Sequence, residues 1–138
     1  KGPLEPDLKA QAQALGISHK VRFAGQVPNA RRYFRAFDHF VLSSDHEPFG
    51  MVLLEAMAAE LNISCSDSGG GAEVVRGIGQ LFPLGDAASL ANLMVAVATQ
   101  DQLPGTMLKY LQQHFSDEAA RQRFFALPFI QGLQQRCT

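Results

Sequence analysis

Tryptophan is absent from the 138 residues, and cysteine occurs only as Cys65 and Cys137. Two cysteines are too few for a disulfide scaffold. Cys65 sits in the small-residue run Ile63-Ser64-Cys65-Ser66 and reads as a buried free thiol, which fits a reducing compartment. An excess of either charge is also missing: 12 basic against 13 acidic residues leave a net charge of −1. The strong electrostatic pull that draws proteins to nucleic acid or to an anionic membrane is therefore absent. No apolar run approaches the roughly 20 residues needed to span a bilayer. The four histidines, His19, His39, His46 and His114, are scattered without metal-ligand spacing. The beginning, Lys1-Gly2-Pro3, carries neither Met nor a signal-peptide pattern and reads as processed or excised.

What is present is an ordinary globular balance, 46% hydrophobic and 18% charged, enough for one domain with a real core. Apolar spacing predicts a helix over residues 4–15, with Leu8, Ala12 and Leu15 on one stripe and Gly16 at its end. Residues 21–24 alternate and predict a strand stopped by Gly25; residues 28–36 predict a short helix. Phe40-Val41-Leu42 is a continuous apolar run, as in strands buried on both faces of a parallel sheet. A polar loop over 43–49 then leads to a helix over 50–59. A strand over 62–65, a turn over 66–71, a short helix over 72–76 and a strand over 80–82 follow. Residues 86–98 form an amphipathic helix with Leu90, Leu93, Met94 and Val97 at helical spacing. After a linker over 101–105, helices are predicted over 106–114 and 117–127, the second capped by Ser116 and ended or kinked by Pro128. Strands alternating with helices imply an α/β fold with a Rossmann-like parallel sheet. Residues 1–100 read as an incomplete domain of that kind and 101–138 as a helical extension packing on it.

In such sheets ligands bind beyond the carboxyl ends of the strands. The informative segment there is Ser43-Ser44-Asp45-His46-Glu47-Pro48-Phe49-Gly50, which runs into Met51-Val52-Leu53-Leu54-Glu55. Gly50 permits close approach to the backbone, and the first helical amides, at Met51 and Val52, lack intrahelical acceptors. With the helix dipole they suit an anion. Taken singly, Glu47 reads as a solvated loop residue and Glu55 as an early-helix charge. Taken together they flank an amide-lined mouth with two acceptor-only groups, which suits a ligand bearing both phosphate and hydroxyls. A nucleotide sugar has that chemistry.

Glu47 and Glu55, with seven residues between them including Pro48-Phe49-Gly50, resemble the E-x7-E motif of retaining GT-B glycosyltransferases. Val21-Arg22-Phe23-Ala24-Gly25-Gln26-Val27, Phe40-Val41-Leu42-Ser43-Ser44, Ser66-Asp67-Ser68-Gly69-Gly70 with Glu73-Val74-Val75, and Gly79-Gln80-Leu81-Phe82-Pro83-Leu84-Gly85-Asp86 resemble further motifs of that family in order. The resemblance implies the C-terminal half of a GT-B fold, lacking its first strands, that binds a nucleotide-sugar donor. It implies that Glu47, as the catalytic residue, meets donor-sugar hydroxyls and that Glu55 meets the ribose. It places Phe49, Gly50, Met51 and Val52 at the sugar and phosphates, Gly25 and Val27 near the base, and Gly69 and Gly70 facing an interdomain cleft. It implies no metal and no cofactor beyond the substrate, a glycan or lipid-linked acceptor held by a missing N-terminal domain, and a cytoplasmic setting. The Arg and Lys that meet the diphosphate in the family precede Lys1, so the chain alone is expected not to transfer sugar.

The family usually has Ala-Gly-x-Pro after the motif helix, whereas this chain has Ala59-Glu60-Leu61-Asn62. A left-handed backbone at Glu60 would cost on the order of 1 kcal/mol. Arg31, Arg32 and Arg35 beside Tyr33, Phe34 and Phe37 read as a solvated face or as a contact with an anionic membrane surface. A non-catalytic Rossmann-like module and a nucleotide-sugar epimerase of GT-B shape are the alternative functions.

Overall fold

A computed structural model describes residues 2–99 and 104–128. The chain divides into two compact units, Lys1–Arg32 and Tyr33–Thr138. In the first, helix α1 spans Glu5–Ala14 and Gly16 follows in the left-handed region, as its end-stop spacing predicts. Of the expected stripe only Ala12 is buried; Leu8 and Leu15 are 48% and 63% exposed. Residues 21–24 belong to no strand, correcting the expectation of one. An alternating pattern makes a strand only where a hydrogen-bonded neighbour exists, and none is present among the described residues. The expected helix over 28–36 is a 3-10 helix, Ala30–Ala36, which straddles the division.

The second unit holds a three-stranded parallel sheet, β1 (His39–Leu42), β2 (Asn62–Ser66) and β3 (Gln80–Phe82), in spatial order 1-2-3. The register sets Phe40 beside Ile63 and Cys65 beside Leu81. β1 is half-buried throughout, not buried on both faces, because it pairs only with β2. β2 is central and buried from Ile63 to Ser66. Helix α2 (Met51–Ala58) links β1 to β2, and α3 (Gly69–Val75) links β2 to β3. The expected turn over 66–71 is shorter than predicted, since residues 69–71 already form the first turn of α3. Helix α4 (Ala87–Ala98) is capped by Asp86, whose carboxylate accepts from the Ser89 amide at 2.9 Å and its hydroxyl at 2.6 Å. Those bonds hold the Asp86 carboxyl below the usual carboxylate range.

Helix α5 (Thr106–Phe115) and helix α6 (Asp117–Phe125) follow, with the Ser116 hydroxyl accepting from the Ala119 amide as expected. The core joins Phe34, Leu53, Met57, Ile63, Val75 and Met107, so α5 packs on α2 and the sheet. Most of the 101–105 linker, all of 129–138 and Cys137 lie outside the described residues. Cys65 is a buried free thiol, and burial pushes its pKa up.

Glu60 is indeed left-handed, with φ at 61°. Its Oε1 accepts from the Leu108 amide at 3.0 Å, in the first turn of α5. A side chain in the position where glycine is usual thus serves as an N-terminal cap for a helix 48 residues away in sequence. This bond offsets part of the backbone strain.

Candidate functional site

β1 and β2 are parallel, so the loop after β1 (43–50) and the turn after β2 (67–68) emerge at the same end of the sheet. Hydroxyls tie them together. The Ser44 carbonyl accepts from Ser66 Oγ at 2.5 Å and from Ser68 Oγ at 2.8 Å. The Gly70 amide donates to the Glu47 carbonyl at 2.8 Å.

The glycines at the start of α3 follow from this contact. A methyl group on Gly69, which has φ of 62°, would lie 2.6 Å from the Glu47 carbonyl oxygen. One on Gly70 would collide with the Pro48 carbonyl, and one on Gly71 would come within 3.2 Å of Glu47 Cγ and 3.4 Å of Cys65 Sγ. Backbone here packs on backbone, and only glycine leaves the room.

Gly50 precedes α2 in the left-handed conformation, φ 84°, with Leu53 Cδ1 2.6 Å from where its Cβ would stand. The Glu47 side chain turns back so that Oε1 accepts from the Gly50 amide at 2.9 Å. The carboxylate therefore lies at the mouth of α2, satisfying one amide there and leaving Oε2 for another donor. Met51 and Val52 supply the first helical amides. Phe49 and Met51 are 46% and 64% exposed. Glu55, one turn along α2, is half-buried, and its carboxylate forms no hydrogen bond or ion pair among the described residues.

The structure thus brings together Glu47, Phe49, Gly50, Met51, Val52, Glu55, Gly69 and Gly70 of the residues singled out by sequence. Gly25 and Val27 belong to the first unit, where Gly25 lines an open groove of ≈ 600 Å³ with Leu4, Leu8 and Phe23. Sequence reasoning missed the serine cluster and the Glu47–Gly50 bond. It also missed an aromatic group from α5, Tyr110, His114 and Phe115, which meets Phe49. The spacing of Tyr110 and His114, four residues apart on one helix, was the available signal. His46 stays exposed. No group of His, Cys, Asp or Glu among the described residues is arranged to hold a metal ion. No helix among them is long and apolar enough to cross a membrane.

A parallel sheet with flanking helices, and a glycine-packed loop at the carboxyl ends of its strands leading into an acidic helix mouth, define a GT-B-type Rossmann-like unit. The family description "Glycosyl transferases group 1" matches residues 1–114, and the chain belongs to that family. The chain is 34% identical over 104 residues to the lipopolysaccharide core biosynthesis glycosyltransferase LpsE of Rhizobium meliloti, covering 74% of this chain and 31% of that relative. It superposes on the lipopolysaccharide outer core galactosyltransferase WaaB with a TM-score of 0.75 at 21% identity, over 89% of this chain and 37% of WaaB. It superposes on Anabaena Alr3699/HepE in complex with UDP and glucose with a TM-score of 0.70 at 27% identity, over 96% of this chain and 35% of that one. The chain thus spans about a third of the length of these proteins.

Proposed function

We propose that this chain supplies the donor-binding half of a retaining glycosyltransferase, which moves a sugar from a nucleotide-sugar to a glycan or lipid-linked acceptor. The observation that carries the reading is the meeting of Glu47, Gly50 and the Gly69-Gly70 start of α3 at one helix mouth, with the Glu55 carboxylate one turn away and unpartnered among the described residues. Support comes also from a structural neighbour that holds UDP and glucose and a relative named for lipopolysaccharide core biosynthesis.

In this reading Glu47 keeps Oε1 on the Gly50 amide and offers Oε2 to donor-sugar hydroxyls. The Gly50 bond fixes the carboxylate, so little rotamer entropy is lost when the sugar arrives. Glu55 accepts from the ribose hydroxyls. The amides of residues 49–52 and the positive end of α2 receive sugar and phosphate oxygens. Gly69 and Gly70 face the cleft between this half and the N-terminal domain. The bond from the anomeric carbon to the diphosphate oxygen breaks, and its electron pair leaves on the phosphate. The acceptor hydroxyl oxygen bonds to that carbon on the same face, and its proton passes to the departing phosphate. The residues assigned here include no metal ligand. The acceptor is held by an N-terminal domain, the protein works in the cytoplasm, and Arg31, Arg32 and Arg35 touch the anionic membrane surface where a lipid-linked acceptor resides.

Calorimetric titration of the chain with UDP-, GDP- and ADP-sugars tests the donor site. One donor is expected to bind, and Glu55→Ala to weaken it by about tenfold or more, the worth of one hydrogen bond to a charged group. Silence from all three donors in a folded chain would point to a non-catalytic module.

A further inference from the structure

Beside Pro48 and Phe49 lies a concavity of ≈ 340 Å³, lined also by Glu73, Tyr110, His114, Phe115 and Arg123 among others. It is built from three elements: the Phe49 loop, α3, and the α5–α6 pair. Its walls are rings. Tyr110 and His114 lie with centroids 4.2 Å apart at 32°, and Phe115 meets Phe49 edge-on at 6.4 Å and 80°. The rings are held in place. The Tyr110 hydroxyl donates to the Arg76 carbonyl at 3.0 Å. Arg123 Nη2 lies 3.3 Å from His114 Nδ1. A guanidinium can only donate, so Nδ1 accepts and the ring proton sits on Nε2, which is left as a donor. The Glu60 cap fixes the start of the helix that carries these rings.

The geometry points to this pocket as a subsite for an uncharged sugar ring of a glycan, adjoining the nucleotide-sugar mouth. A sugar ring has an apolar C–H face and a rim of hydroxyls. Aromatic walls match the face, and Glu73, Arg123 and His114 Nε2–H match the rim with one acceptor and two donors. One cation and one anion cancel, so neither a phosphate nor an ammonium group finds a complementary field. Phe49 and Gly70 belong to both sites, so a glycan here lies directly against the loop that carries Glu47. The proposal stands on the pocket and does not require the donor reading.

The test is amide-shift titration of the labelled chain with maltose, cellobiose and α-1,3-mannobiose. At least one disaccharide is expected to shift Tyr110, His114 and Phe115 saturably. Arg123→Ala and Glu73→Gln, both at exposed positions, should each weaken that response by about tenfold while the fold persists. The proposal is overturned if no disaccharide moves these residues, if uridine or inorganic phosphate moves them instead, or if both variants bind as well as the parent. Nucleotide-sugar binding is read separately, at Met51 and Val52, so failure of either site is told apart from failure of the other.

Discussion

Glu47 shows how one residue holds two positions at once. Its main-chain carbonyl takes the Gly70 amide and its side chain takes the Gly50 amide. The loop is thereby fixed at both ends before any ligand arrives. Gly70 is the counterpart of that arrangement, since any Cβ would meet the Pro48 carbonyl. Gly70→Ala should lower stability by about 2–3 kcal/mol, the cost of overpacking a tight contact, measured by urea unfolding. An unchanged midpoint would contradict the packing argument. His39 makes a second residue-level statement. Its Nε2 lies 2.9 Å from Ser64 Oγ, and burial lowers its pKa from the ordinary 6.5. The folded state therefore resists protonation more than the unfolded state does. Its stability is full above about pH 6.5 and falls as the pH drops below that value, when the unfolded chain takes up the proton first. Thermal melts at pH 7.5 and 5.5 should show a smaller acid loss in His39→Gln than in the parent. An equal loss in both would remove His39 from the account.

At the scale of elements, Glu60 joins α2, which it follows, to α5, which it caps. The left-handed backbone costs on the order of 1 kcal/mol, and the capping bond returns about the same. Glu60→Ala should keep the strain and lose the bond, lowering stability by about 1 kcal/mol. Glu60→Gly should lose both and stay within about 0.5 kcal/mol of the parent. Denaturant midpoints distinguish the pair, and equal losses would show that the cap contributes nothing. The strands β1, β2 and β3 and helix α4 were legible in the sequence because each carries its own periodicity or apolar run. The strand expected over 21–24 was not, because strand identity needs a partner that the segment itself does not name. The start of α3 was misread because three glycines argue against a helix locally. Their reason lies across space, in the Glu47–Pro48 backbone. The acidic mouth was legible as a pair of residues, but the bend of Glu47 onto Gly50 was not, since a side-chain torsion leaves no mark on spacing.

For the whole molecule, the sheet places two loops at one end, and the glycines between them let those loops act as one surface. Phe49 stands on that surface between the acidic mouth and the aromatic pocket. The central claim is that the mouth of α2 receives a glycosyl nucleotide between Glu47 and Glu55. Amide-shift mapping of the labelled chain with the nucleotide-sugar that binds best in calorimetry addresses it most directly. Gly50, Met51 and Val52 are expected to move first and furthest, and Glu47→Gln to reduce those shifts at equal ligand concentration. Shifts confined to other surfaces, with these three amides unmoved at saturation, would contradict it.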